Sequence, residues 1–216
     1  MSLDQVAPKH CKKCARLYDF IASHKGKYPD WHNGSVPSFG AIDAPILIVG
    51  LAPGLRGANA TGRPFTGDFA GNTLYDSLLK FGFASGDYQK HAQDGLALHD
   101  VRITNAVKCV PPQNKPTGAE INTCRDAYLI PEIKRMKNLR LILALGRIAH
   151  QALIKTFDKR QADFSFGHFQ THKLDDGLEL VDSYHCSRYN VQTNRLTVEM
   201  FDDVIGYLRT RANDLK

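Results

Sequence analysis

The chain has 216 residues, and 28 Lys and Arg against 22 Asp and Glu give it a formal net charge of +6. A hydrophobic fraction of 43% and an aromatic fraction of 9% exclude a disordered tail, a collagen-like chain and a coiled coil, and a single chain of this size buries about 70% of its unfolded surface, enough for one domain with a real core. No apolar run reaches the ~18 residues that span a bilayer, and the polar residues 1–14 lack a signal-peptide block, so an intracellular protein is expected, with a weak hint of an acidic partner.

Residues 1–40 are polar and turn-rich around Trp31, His32, Asn33, Gly34 and Pro37, with one short apolar-periodic stretch at Leu17, Phe20 and Ile21. Residues 44–51 (APILIVGL) read as a buried parallel strand. A helix is expected over 71–83, with Leu74, Tyr75, Leu78 and Leu79 on one face, and a second strand over 101–107. Thr117 and Glu120 form a capping box that opens a helix running towards Met136. A third strand over 139–145 leads into a helix at Gly146, a fourth strand covers 178–183, and a final helix carries Met200, Phe201, Val204, Ile205 and Leu208. Strands alternating with helices predict a three-layer α/β/α sandwich around a mostly parallel sheet, as one domain over 1–216 with a cysteine-bearing N-terminal segment.

The five cysteines are an odd set for a disulfide framework in a chain without a secretion signal. Cys11 and Cys14 form a C-x2-C pair among basic residues, and fourteen residues separate Cys109 from Cys124. If the fold joins the chain start to its middle, these four thiols suit tetrahedral zinc or a [4Fe–4S] cluster. The plainer reading is a surface redox pair and two buried thiols. Cys186 adjoins His185, but neighbours on an extended chain point to opposite faces, so Cys186 reads as structural.

Three long polar loops directly follow strands: 50–71 (GLAPGLRGANATGRPFTGDFAG), 108–117 (KCVPPQNKPT) and 184–195 (YHCSRYNVQTNR). Ligands of open α/β sheets bind at that carboxyl edge. The first loop is neither a Walker A loop nor a dinucleotide fingerprint, yet its six glycines let backbone N–H groups approach a ligand. Phe65 within it could stack on a planar base, and Asp68 suits a helix N-cap as well as a functional carboxylate. Asn105 and Asn114 flank Cys109, and an amide pairs with a base edge, although Asn114 between two prolines also suits a turn. His185 precedes Ser187, Arg188, Asn190, Gln192, Thr193 and Arg195, side chains of the kind that contact phosphates. A polar loop holding a satisfied histidine is the alternative.

The segments GLAPG…TGRPFTGD at 50–68, TNAVKCVPP at 104–112 with NKPT at 114–117, ALGRIA at 144–149 and SYHCSRYNVQTNRLT at 183–197 occur in order, framed by the four cysteines. In these the chain resembles the family 5 (type b) uracil-DNA glycosylases from Cys11 to about Phe201. The resemblance implies a [4Fe–4S] cluster on Cys11, Cys14, Cys109 and Cys124. It implies a monomeric, cytoplasmic, nucleoid-associated repair enzyme that removes uracil, and deaminated purines such as hypoxanthine and xanthine, from DNA.

By the same resemblance the flipped base stacks on Phe65 and lies against Gly50, Ala52, Pro53 and Gly54. His185 matches the histidine that stabilises the leaving base, Asp68 the family carboxylate and Asn114 the catalytic asparagine. Asn105 stands where family 4 enzymes read the uracil edge. Arg188, with Ser187, Asn190 and Arg195, falls on the loop that enters the DNA groove. The wider superfamily carries a carboxylate or amide where this chain has Ala52, which shifts water activation towards Asp68 and Asn114. No motif lysine suits a Schiff base, so a glycosylase without lyase activity is expected. A non-catalytic damaged-DNA binding module of the same fold is the competing reading.

Overall fold

The computed structural model describes residues 6–214. The apolar run at 44–51 forms β1 (Ile46–Gly50), all five residues of which are buried. It lies between β4 (Val101–Asn105) and β5 (Leu141–Leu145), both parallel to it. β7 (Glu179–Ser183) continues the parallel sheet beyond β5, and a short antiparallel strand, β6 (Thr171–Lys173), closes the edge. Ile46 and Ile48 pack towards α3 (Phe69–Lys80) and α8 (Val198–Asp214), meeting Leu74, Leu78, Phe201 and Leu208. Leu47 and Val49 face the opposite layer, with Leu129, Met136, Leu153 and Ile154. Helices on both faces make the expected three-layer sandwich, and burial of each such aliphatic side chain contributes about 2 kcal/mol. No helix among the described residues is long and apolar enough to cross a membrane.

Most elements fall where the pattern puts them, and the differences have local causes. The helix from Thr117 is capped as expected: Thr117 Oγ1 accepts the Glu120 N–H, and Glu120 accepts the Thr117 N–H. It does not run unbroken, however. α4 (Gly118–Cys124) passes through a π-helical turn, Arg125–Leu129, into α5 (Ile130–Arg135). Pro131 lacks the N–H that a continuous α-helix needs, and the wider turn absorbs the mismatch. The third polar loop contains a short helix, α7 (Arg188–Gln192), and a small hairpin, β2 (Ala84–Ser85) with β3 (Ala97–Leu98), follows α3. α6 (Arg147–Thr156) starts after Gly146, whose φ of +97° favours glycine. On β7, fully buried Asp182 is bonded through one oxygen to His150 (2.8 Å) and through the other to His172 (3.2 Å). That triad ties α6 and β6 to the strand that leads into the third loop.

α1 (Ala15–Lys25) starts right after the C-x2-C pair and buries Leu17 and Ile21 against Val107, Val110 and Tyr128. Arg16 grips Glu120 through two hydrogen bonds of 2.8 and 2.7 Å. The N-terminal segment is thereby fixed beside the second loop.

Candidate active site

The three loops leave the carboxyl ends of β1, β4 and β7 and together line a pocket of about 500 Å³. The first contributes Ala52, Pro53, Gly54, Phe65 and Asp68, the second region Asn105 and Asn114, and the third His185, Ser187 and Arg188. Gly50 lies beneath this lining, and Asn190 and Arg195 lie outside it.

Phe65 is the floor. It is buried, and its φ of +52° is unusual for a side-chain-bearing residue. Its ring lies 5.9 Å from that of His185, with an interplanar angle of 28°. Gly50 makes room for it: a methyl group there would sit 2.6 Å from Phe65 Cζ and 2.5 Å from Asn105 Oδ1. Asn105, only 4% exposed, has no hydrogen-bond partner for its side-chain amide among the described residues, and it faces the pocket. Neither ring nitrogen of His185 has one either. Burial holds the His185 imidazole below its usual value, against the opposing pull of Asp68, which keeps it neutral at neutral pH.

The structure shows the N-cap reading of Asp68 and leaves its second oxygen turned towards the pocket loop. Asp68 is the N-cap of α3, Oδ1 accepting the Gly71 N–H at 3.1 Å. Its Oδ2 faces the first glycine turn, where methyl groups on Gly54 and Gly57 would approach it to 3.0 and 2.4 Å. Asn114 likewise ends a tight 3-10 turn, Pro112–Asn114, with φ +56°, and remains exposed at the pocket rim.

In the third loop Ser187 Oγ caps α7 by accepting the Asn190 N–H at 3.4 Å. Asn190 turns its amide inward, donating to the His185 carbonyl at 2.8 Å, so it shapes the backbone that carries the imidazole. Arg188 is exposed at the mouth with its guanidinium 5.6 Å from the Phe69 ring, and Arg195 lies 4.8 Å from the Tyr184 ring. Cys186 is fully buried and donates to the Ala70 carbonyl at 3.4 Å. Burial, with Asp68 adding, pushes its thiol up to about 12, so it acts as an anchor between loop and helix and not as a nucleophile.

The four remaining cysteines share a second cavity with Leu17, Val107 and Tyr128. Cys11 Sγ lies 3.1 Å from Tyr128 Oη, and Cys124 Sγ accepts the Lys108 N–H at 3.2 Å. Burial, with Cys124, Cys11 and Cys14 adding in the same direction, pushes the Cys109 thiol up to about 12. Thiols that oppose one another's ionisation are a donor set that a bound cation would deprotonate. A single zinc with bonds of about 2.3 Å needs sulfurs about 3.8 Å apart. Among the described residues, the set of metal-capable side chains whose donor atoms all lie within 4.8 Å is His150, His172 and Asp182, not the cysteines. Cys11, Cys14, Cys109 and Cys124 are the side chains that would hold a metal centre in this cavity, a donor set that suits zinc or an iron–sulfur cluster.

The family model of the uracil DNA glycosylase superfamily matches residues 37–209. The chain belongs to the uracil DNA glycosylase superfamily. It is 41% identical over 201 residues to a Type-5 uracil-DNA glycosylase of Thermus thermophilus, covering 90% of each chain. A Type-5 uracil-DNA glycosylase of Pyrobaculum aerophilum is 36% identical over 200 residues, covering 91% of this chain and 86% of that relative. A Type-4 uracil-DNA glycosylase of the same organism is 36% identical over 181 residues, or 82% and 78% of the two chains.

Some parts of this superfamily member's pocket carry no sequence signal of their own. Leu51, Ala58, Phe69 and Ala70 also line it, and nothing in their type distinguishes them from core residues. Arg63, inside the TGRPFTGD motif, is buried and bonded twice to Asp94 at 2.7 Å. Lys108 is also buried, its Nζ 2.9 Å from Glu132 Oε2, where it belongs to an ion-pair network with Arg102.

Proposed function

We propose that this protein is a monofunctional DNA glycosylase that hydrolyses the N-glycosidic bond of uracil in DNA, with hypoxanthine and xanthine as further substrates. The observation that carries the reading is the convergence on one pocket of three polar groups with spare capacity: the Asn105 amide, the His185 imidazole and Asp68 Oδ2. A base edge with its own donors and acceptors would pair with these groups.

A base inside a duplex cannot reach such a pocket, so the target nucleotide is flipped out at a cost of a few kcal/mol. Arg188 and Ser187 at the mouth, with Arg195 nearby, offset that cost through phosphate contacts. The flipped base stacks on Phe65, against the backbone of Ala52, Pro53 and Gly54, and Asn105 pairs with its edge. Cleavage sends the electron pair of the C1′–N bond to the base and leaves positive charge on the sugar. Neutral His185 donates a hydrogen bond to the base oxygen on which negative charge grows. The Asp68 carboxylate stabilises the sugar cation and, with Asn114, orients the water whose oxygen bonds to C1′ while its proton passes to Asp68 and then to the expelled base anion. Ala52 itself carries no group for that task.

The four cysteines would hold a [4Fe–4S] cluster, pinning the N-terminal segment to the second loop and so to Asn114. The test is an excision assay on duplexes carrying uracil, hypoxanthine or xanthine, with binding measured in parallel. Asp68→Ala and His185→Ala are expected to lose excision by at least 10²-fold while still binding DNA. Release of no base by the unmodified protein would leave the damaged-DNA binding module as the correct reading.

A further inference from the structure

We propose that Tyr88, backed by Arg63 and Tyr75, is a positioning residue for base excision that holds the Phe65–Gly67 turn in the conformation the pocket requires. The inference rests on the glycosylase reading above and adds to it a device outside the loops. Tyr88 comes from the segment between β2 and β3, remote in sequence from every motif. Its Oη donates to the Phe65 carbonyl at 3.2 Å and accepts the Gly67 N–H at 3.3 Å. One hydroxyl therefore bridges the two ends of the turn that has Phe65 at φ +52° and leads directly into Asp68.

Two further clamps hold the preceding residues. Tyr75 Oη donates to the Pro64 carbonyl at 2.6 Å, and Arg63 Nε donates to Thr66 Oγ1 at 2.8 Å. The Arg63 guanidinium lies 5.0, 5.4 and 5.8 Å from the rings of Phe39, Tyr75 and Tyr88. Asp94, its partner, also accepts the N–H groups of Gln89 and Leu96 at 3.0 and 3.1 Å, which fixes the segment carrying Tyr88. Burial pushes the Tyr88 hydroxyl up to about 12, so it remains a donor across the neutral range. α3 closes the arrangement from below: a methyl on Gly71 would fall 1.8 Å from the Phe65 carbonyl oxygen and 2.4 Å from Tyr88 Oη.

A left-handed conformation at a non-glycine residue persists only when its surroundings enforce it. Without the Tyr88 hydroxyl the Phe65 carbonyl loses its hydrogen bond and the turn can relax towards negative φ. That moves the stacking ring and rotates the residue before the α3 cap. The affected groups act on the bound base, so the loss falls on the chemical step more than on DNA binding.

The experiment compares Tyr88→Phe with Tyr207→Phe, each of which removes one phenolic hydroxyl. Tyr207 bonds Glu179 away from the pocket and serves as the stability control. Single-turnover excision of uracil from duplex DNA is measured with melting temperature and DNA affinity. Tyr88→Phe is expected to lower the excision rate by about tenfold or more, with affinity within about twofold of the unmodified protein. Tyr207→Phe, with a comparable fall in melting temperature, is expected to keep its excision rate. Equal excision rates in the two variants, or a Tyr88→Phe loss confined to affinity, overturns the proposal. Asp94→Asn, which weakens the clamp from behind, supplies the same comparison if Tyr88→Phe does not fold. Inactivity of the unmodified protein refutes the glycosylase reading itself, which separates the two failures.

Discussion

Gly50→Ala tests the geometry of the pocket with a single methyl group. That methyl would lie 2.5 Å from Asn105 Oδ1 and 2.6 Å from Phe65 Cζ, against the 3.4 Å at which ordinary contact begins. Each neighbour must therefore retreat by roughly 0.8–0.9 Å. Neither can do so freely. Asn105 ends β4, held in parallel register against Gly50 of β1, and Phe65 sits in a clamped turn. Overpacking of this kind costs about 1–3 kcal/mol of stability, and a displacement of about 1 Å among reacting groups costs on the order of 10²-fold in rate. The expected result is a protein that still unfolds cooperatively, a few degrees lower, with single-turnover uracil excision reduced about 10²-fold. Thermal unfolding and excision are measured on the same preparation. Excision within twofold of the unmodified rate would refute the claim that Asn105 and Phe65 set the pocket.

Three other outcomes follow from the electrostatics and the cysteine cavity. Burial keeps His185 neutral below the usual histidine value of 6.5, so excision should hold steady from pH 8 to 6.5 and decline only at lower pH; an acid midpoint above 6.5 would contradict a neutral donor. Burial alone would raise the Glu132 carboxyl, but Lys108 and Arg102 outweigh it and hold the group at about 2, against 4.5 ordinarily. That depression contributes stability fully present above pH 4.5 and lost as pH falls towards 2, up to about 3 kcal/mol. Urea unfolding should therefore show a steeper acid loss for the unmodified protein than for Glu132→Gln, and parallel curves would reject the assignment. Cys109→Ser should lose the broad visible absorption and the iron content of the purified protein, and should loosen residues 11–25 to proteolysis. A colourless unmodified protein carrying one zinc would reject the cluster.

Much of this architecture is readable in the chain because the determinants are local. Residues 44–51 are apolar without alternation because both faces of β1 are covered, and Thr117 with Glu120 caps its helix through bonds three residues apart. The three loops are recognisable from composition and position, and the fold gathers residues from all three around one pocket. What the sequence did not disclose depends on distant contacts. Arg63 sits in a pocket-loop motif, and Asp94, thirty-one residues away, takes its guanidinium into the interior. The bond from the Asn190 amide to the His185 carbonyl joins residues of one loop in a way their types do not announce. β6 spans only three residues, too few for any period to register. The approach of the two cysteine pairs depends on Arg16 meeting Glu120 across 104 positions, a pairing that charge alone does not single out.

The central claim is that the three loops form a pocket in which a base is cut from DNA. It is tested most directly by incubating the unmodified protein with a uracil-containing duplex and identifying the products by mass spectrometry. The account predicts free uracil and an intact strand bearing an abasic site, with none of either from Asp68→Ala. Free uracil accompanied by strand cleavage through a protein–DNA Schiff base, or a bound duplex with its uracil still attached, would contradict it.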